Sequence, residues 1–473
     1  MSDAVIDQRG AAPAAAALAA TRRGRQGVGD IGAEIGRLAS ACVGCGLCNA
    51  KCPTYLLTGD EREGPRGRIA LISELAAGRR EPAAVAEIAG HLDRCLSCHS
   101  CGEACPTGVE YDRLIAQGRK LLREARPQPF ARRLIERVAE RVMPYPDRLR
   151  WYLSFAPAVM RGARRLGIGR SGPQGRLTRQ LNTLAPHRGA FTGPGTAKTK
   201  RERRGRVILL AGCGAQVLRP SITDAAIRVL ARNGLDLEVA AGAGCCGATR
   251  AEQGDEGGAL DLARANIDAF TNSLSRAPAD AIVTTAGGCG AMIAQYGYLF
   301  RDDPAYCEPA QRIADLAEDV VAFADRFGLA PPLRWSSLRV ACHTACSLAA
   351  DGGGAAQRDM VHRAGFSVVD AAPGQICCGG KGTFPYRESE IADTLRQQTV
   401  EEIGRAKADL VATGSLACLK HLEGEVTRPI VHTIELVDWA HGGPVPPGLE
   451  HLAGDIEDVP GARHLDVDDF LSA

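Results

Sequence analysis

The stretch CVGCGLCNAKCP, Cys42 to Pro53, recurs 53 residues later as CLSCHSCGEACP, Cys95 to Pro106. Both read C-x2-C-x2-C-x3-C-P. Three cysteines at spacing three wrap a tight loop around one face of an iron–sulfur cube. The fourth points away and, where two such runs share a chain, ligates the other cluster. The expected ligand sets are therefore crossed. Cys42, Cys45, Cys48 and Cys105 should hold one [4Fe-4S] cluster, and Cys95, Cys98, Cys101 and Cys52 the other. Such an exchange accounts for the duplication, because each half completes its neighbour's site and fixes two clusters close together. Gly44, Gly46 and Gly102 would let backbone N–H groups approach the sulfurs, which tunes potential. The competing reading is zinc. Structural zinc sites pair two CxxC units across a longer loop, and a CxxCxxC run places three ligands too close together for that pattern.

A second set of cysteines follows Gly-rich turns. Strand–cysteine, strand–CCG, strand–cysteine occurs twice: Cys213, Cys245-Cys246 and Cys289, then Cys346, Cys377-Cys378 and Cys418. Adjacent cysteines between glycines cannot both point into one apolar core, so a shared ligand role is expected. Cys307 and Cys342 fall outside the repeat and read as buried or incidental thiols. AGCGAQV (211–217) has Val217 where a dinucleotide loop needs its last glycine, which argues against a nucleotide site.

These residues must be positioned by several domains, since 473 residues exceed one ordinary core. Residues 1–35 are Ala-, Gly- and Arg-rich and are expected to be disordered. The first cysteine domain should occupy 36–120, with a helix starting at Pro65 and Ile69, Ile72 and Leu75 on its apolar face. A basic helical connector and linker fills 121–205, and TGPGTAKTKRERRG (192–205) reads as flexible. Strands alternating with helices then predict two α/β modules, 206–330 and 336–442, with parallel or mixed sheets and cysteines beyond the strand ends. Residues 443–473 form an acidic, Pro/Gly-rich tail without an assigned role.

The net charge of +2 conceals an asymmetry: 24 Lys/Arg stand against 5 Asp/Glu between Arg113 and Arg206. The basic stretch carries Trp151, Tyr152 and Phe155 among apolar residues at helical spacing. It reads either as a solvated helical linker or as a surface for anionic lipid or an acidic partner. No recognised nucleic-acid-binding motif accompanies the charge, so no nucleic-acid partner is expected. Asp3 and Asp7 stand where a secretory signal would be positive, and no apolar run is long enough for a transmembrane helix. Without export, disulfides are disfavoured and the cysteines are expected to be ligands.

The ferredoxin-like repeat, basic connector and two CCG modules together resemble the iron–sulfur subunit of bacterial glycolate oxidase over roughly residues 35 to 440. The resemblance is carried by CPTYLLTGDEREGPRGRIALI, AGCCGA, TTAGGCGAMIAQYG and ICCGGKGTFPY. Wider kin are the CCG subunits of heterodisulfide reductase and the iron–sulfur proteins of lactate and glycerol-3-phosphate oxidation. The implied fold is α+β and multidomain: a helical two-cluster [4Fe-4S] domain followed by two tandem α/β CCG modules. In heterodisulfide reductase relatives each CCG motif ends in CxxC and binds a noncubane [4Fe-4S] cluster. Here Ala286 and Ser415 replace the first cysteine of that last pair, leaving four cysteines per module, so the resemblance implies either a further noncubane cluster or a degenerate fold kept for partner docking. His343 matches a histidine common in the family, with a ligand, tuning or structural role, and Arg66 and Arg68 lie near a cluster, a partner surface or simply a helix start.

No flavin or nicotinamide fingerprint and no nucleophile–base constellation is visible, so no catalytic residue is assigned. The resemblance implies an electron-transfer subunit. It would take electrons from an FAD-binding dehydrogenase partner that oxidises glycolate to glyoxylate, and pass them towards quinone or another membrane acceptor. The expected location is the cytoplasm, at the inner face of the cytoplasmic membrane. Equivalent service to a lactate or other 2-hydroxy-acid dehydrogenase, a heterodisulfide reductase-like activity and a metal-stabilised scaffold are the alternatives.

Overall fold

The structure, a computed structural model, describes residues 28–126, 137–138, 140–165, 193–349, 353–369 and 377–460. Helices α1 (Val28–Ala39), α2 (Pro65–Ala76), α3 (Pro82–Asp93) and α4 (Tyr111–Ala125) frame the paired cysteine loops. Helix α2 opens on Pro65, whose missing N–H is no loss in a first turn. Its Ile69, Ile72 and Leu75 meet Ile31 and Ile35 of α1 and Leu114 and Leu121 of α4 in one core. Gly118 permits the close approach of α4, because a Cβ there would lie 2.7 Å from Ile72.

Helix α1 corrects the expectation of disorder through residue 35. Ile31 and Ile35 are 3% and 1% exposed. The glycines of VGDIGAEIGRLA lower helix propensity, while Ile31, Ile35 and Leu38 keep the i, i+4, i+7 spacing that packing rewards. Residues 1–27 lie outside the described residues. Of the basic connector, α5 (Pro146–Arg165) is the principal described element, and it bears the expected helical pattern.

The first module is a five-stranded sheet in the order β1–β3–β2–β4–β5. Its strands are β1 (Gly195–Ala197), β2 (Gly205–Leu210), β3 (Leu235–Val239), β4 (Ala281–Thr284) and β5 (Ala317–Asp319). All pairs are parallel except β1 with β3. Strand β1 lies in the stretch read as a flexible linker. Its pairing to β3 is extended by Thr199, which donates from N to Asp236 and from Oγ1 to the Ala231 carbonyl at 2.8 Å. Beyond it, β6 (Arg334–Ser336) precedes the second module's strands β7 (Arg339–His343), β8 (Ser367–Val369), β9 (Leu410–Thr413) and β10 (Ile430–His432). Their order is β10–β9–β7–β8, parallel throughout. Parallel pairs need crossover helices, so the loops at the carboxyl ends of the strands are free to carry the cysteines. The tail contributes too: β11 (Ile456–Asp458) pairs antiparallel with β6, and Leu449 is fully buried. Residues 461–473 lie outside the described residues.

Buried ion pairs join the modules. Arg219 grips Glu435 at 2.9 and 3.1 Å. From α6 (Ser221–Arg232), Arg228 reaches Asp438 at 2.7 Å and Arg232 reaches it at 3.1 Å. Glu435 and Asp438 both lie on α7 (Thr433–Ala440). Removing one member leaves uncompensated charge in the interface. Asp438→Ala is therefore expected to destabilise the fold by about 3–5 kcal/mol in urea unfolding. The exposed Arg37→Ala, which breaks a surface pair with Glu34, should leave the urea midpoint essentially unmoved.

Candidate iron–sulfur and cysteine centres

The two cysteine loops repeat one backbone path. In the first, Gly44 (φ 73°) and Gly46 (φ 78°) take the left-handed conformation that only glycine adopts freely. The second places Ser97 (φ 51°) and His99 (φ 65°) at the matching positions. Left-handed backbone at a non-glycine residue costs roughly 1–2 kcal/mol. Side-chain hydrogen bonds offset it at Ser97: Arg119 donates to Ser97 Oγ at 2.7 Å, and Lys381 Nζ donates to the Ser97 carbonyl.

Cys42, Cys45, Cys48 and Cys105 line one cavity, which Cys101 also borders, and Cys52, Cys95, Cys98 and Cys101 line a second. Cys52 and Cys105 thus stand with the three leading cysteines of the opposite run. Four soft sulfur donors around each cavity form a donor set that fits an iron–sulfur cube.

The surroundings of the two cavities differ. Cys45 is exposed and its companions are half-buried, whereas Cys52, Cys95, Cys98 and Cys101 are all buried. At the open cavity, Arg66 donates to the Gly44 carbonyl at 2.9 Å and pairs with Glu61 at 2.6 Å. The closed cavity is held by Arg68, only 1% exposed, which bonds Glu63 and Thr54 and stands 3.8 Å from Cys52 Sγ. Arg119 bonds the carbonyls of Leu92 and Cys95. Burial alone would raise the Cys95 thiol, but Arg68 and Arg119 outweigh it and hold it below its ordinary range. Burial pushes Cys98 up to about 12 and raises Cys101 further. Tyr111 directs its hydroxyl at Cys95 Sγ, 3.8 Å away.

The CCG cysteines gather at the strand ends. In the first module the sulfurs make a chain of contacts, Cys213 to Cys245, Cys245 to Cys246 and Cys246 to Cys289. The contact with Cys213 draws the Cys245 thiol well below its usual range, while Cys213 is pushed up in turn. In the second module Cys346 meets Cys377 and Cys378 meets Cys418. His343, 2% exposed, places a ring nitrogen within 4.8 Å of the sulfurs of Cys378 and Cys418. Ala286 and Ser415, where the family pattern has cysteine, cap the helices Gly287–Ala294 and Leu416–Leu422. Cys342 is buried within β7, and Cys307 opens the helix Cys307–Leu316.

One juxtaposition escapes sequence reasoning. Cys98 packs in one apolar cluster with Cys377, Leu96 and Phe384, and Cys346 lies against it. The closed cavity therefore adjoins the second module's cysteines. Lys381 sits in this seam, pairing with Glu252 at 3.2 Å while bonding Ser97. Its place between two glycines in CCGGKG was the available signal. Arg119 and Tyr111 gave none, because a lone basic or aromatic residue on a helix does not reveal what it faces.

The family model described as "4Fe-4S dicluster domain" matches residues 38–109, and that described as "Cysteine-rich domain" matches 207–294 and 340–423. The glycolate oxidase iron–sulfur subunit of Escherichia coli is 32% identical over 409 residues, covering 86% of this chain and 95% of the relative. The chain belongs to the glycolate oxidase iron–sulfur subunit family. A probable glycolate oxidase iron–sulfur subunit of Bacillus subtilis is 26% identical over 82% of this chain and 89% of the relative. Lactate utilization protein A of Geobacillus thermodenitrificans is 26% identical over 47% of this chain and 92% of the relative. As a glycolate oxidase iron–sulfur subunit homologue with a dicluster domain, the chain carries two [4Fe-4S] clusters as its cofactors.

Arg68 adds buried positive charge beside Cys52 and Cys95 and would stabilise the reduced, more negative state of a cluster held there. Arg68→Met is expected to lower the potential of that one cluster by on the order of 50–100 mV in an EPR-monitored redox titration. A potential unchanged by the substitution would show that the cation is structural only.

Proposed function

We propose that this chain is the electron-transfer subunit of a glycolate-oxidising dehydrogenase. An FAD-binding partner oxidises glycolate to glyoxylate, and this chain carries the electrons towards a quinone at the membrane. The observation that carries the reading is the 32% identity to the Escherichia coli subunit over 95% of its length. The reading divides the chain into a cluster domain (36–120, with α1 packed onto it), a basic connector (121–205, with β1 joining the first sheet) and two CCG modules (206–330 and 336–442).

Each cluster, when bound, supplies a one-electron carrier. Cys42, Cys45, Cys48 and Cys105 hold the first, and Cys95, Cys98, Cys101 and Cys52 the second. The backbone turns at Gly44, Gly46, Ser97 and His99 aim the sulfurs inward. Around the open cavity Val43 is 68% exposed and Leu47 56% exposed, an apolar rim suited to docking the flavoprotein. Arg68, Arg119 and Tyr111 exclude water from the closed one. The CCG cysteines Cys213, Cys245, Cys246 and Cys289, and Cys346, Cys377, Cys378 and Cys418 with His343, hold a further cluster, and Cys98 abuts the second of these groups. Among the described residues no helix is long and apolar enough to cross a membrane. The exposed Trp151 and Phe155 on the Arg-rich helix α5 support a peripheral attachment, at the cytoplasmic face.

A second reading keeps the chemistry and changes the partner: the similarity to a lactate utilization protein favours service to a lactate dehydrogenase. Copurification with the flavoprotein partners, followed by quinone reduction with glycolate and with lactate, decides between them. Glycolate is expected to support the faster turnover. Quinone reduction by the flavoprotein at an equal rate without this chain would end the relay reading. Cys52→Ala should damage mainly the cluster of the second run and Cys105→Ala that of the first, distinguishable by Mössbauer and EPR spectra. Damage confined in each case to the substituted residue's own run would refute the crossed ligand sets.

A further inference from the structure

The two modules and helix α5 enclose a cleft of about 270 Å³ that the cluster domain does not share. Ligand sites begin near 300 Å³, so the space suits one substituted ring rather than a dinucleotide. Met143, Leu149 and Leu153 form an apolar wall, with Leu153 only 4% exposed. Cys213 and Cys245 lie on the wall belonging to the first module, and Gly380 and Gly382 border the cleft from the second. Lys381, between those glycines, bonds the Ser97 carbonyl next to Cys98. One short loop thus separates the cleft from the closed cluster cavity.

The polar lining favours a neutral occupant. Arg250 is paired with Asp255 at 2.8 Å and Glu140 at 3.4 Å, Arg396 with Asp393 at 2.9 Å, and Lys420 with Glu423 at 2.8 Å. A carboxylate placed here would meet Glu140, Asp255, Asp393 and Glu423 beside those cations. A carbonyl oxygen needs only a donor, and Tyr386 and the paired cations supply several at the rim. The opposite face of α5 carries Trp151 and Phe155, 66% and 52% exposed with ring centroids 5.0 Å apart. An amphipathic helix with leucines towards the cleft and open aromatics away from it suits a ligand arriving from an apolar interface.

We propose that this cleft is the quinone-reduction site, the ring lying between α5 and the Gly380–Gly382 loop with its tail leaving along Leu149. The proposal rests on the quinone acceptor named above. The quinone gains two electrons, delivered singly from the partner's substrate oxidation through the chain's cysteine-held carriers. Its two carbonyls become hydroxyls with two protons taken from water at the rim.

The test uses the complete chain assembled with its flavoprotein partners, with decylubiquinone as the probe and ferricyanide as a polar acceptor. Leu149→Trp, which fills the cleft from a half-exposed position, should raise the KM for decylubiquinone about tenfold and leave ferricyanide reduction unchanged. An unchanged quinone KM overturns the site. Should the variant fail to assemble, photolabelling of the wild-type complex with an azidoquinone decides. Adducts within 143–153 or 380–396 support the cleft, and adducts confined to other segments overturn it. Wild-type complex that reduces ferricyanide but no quinone removes both the acceptor reading and the site. Wild-type quinone turnover with an unmoved KM in the variant removes the site alone.

Discussion

Cys52 and Cys105 each leave their own loop to line the cavity of the other, and the N-terminal half is organised around that exchange. A sulfur lent across two loops requires them to stay at fixed separation. Helices α2 and α3 lie between the runs and set this distance. Glu63 anchors it by meeting Arg68 at 2.9 Å and His91 at 2.6 Å, while Arg68 also reaches His91 through the backbone at 2.8 Å. The segment between the two cysteine runs is thus a spacer with a buried polar pin. Replacing both partners by apolar groups could preserve its shape, but it would remove the positive charge beside Cys52.

The cluster domain does not stand apart from the modules. Tyr298 donates to Glu34 at 2.5 Å and Gln295 to Asp112 at 2.9 Å on the first-module side. Arg387 pairs with Asp93 on the second-module side. Both modules therefore brace the same small domain, and the ion pairs between α6 and α7 hold the braces together. The arrangement keeps Cys98 against Cys346 and Cys377 without demanding a long apolar interface.

The cysteine arithmetic was legible because ligand spacing is local: C-x2-C-x2-C-x3-C-P constrains one loop and needs no knowledge of the fold. The same holds for β2, β4, β7 and β9, whose apolar runs end at cysteine turns. What the sequence concealed was long-range. Strand β1 is three residues of GTA, without the apolar run that announces a core strand, and only pairing to β3 makes it one. Helix α1 was masked by its glycines. The adjacency of Cys98 and Cys377 spans 279 positions, and no periodicity reports a contact at that range. His343 was marked by its place before Cys346, yet it stands within 4.8 Å of the sulfurs of Cys378 and Cys418.

The unequal shelter of the two cavities has a practical corollary. Dioxygen and chelators meet Cys45 at the surface, while the closed cavity is walled by Arg68, Tyr111 and the seam to the second module. Iron should leave the chain in sequence, the surface cube first. Preparations handled in air would then pass through a half-stripped form that keeps its inner cube but has lost the surface one.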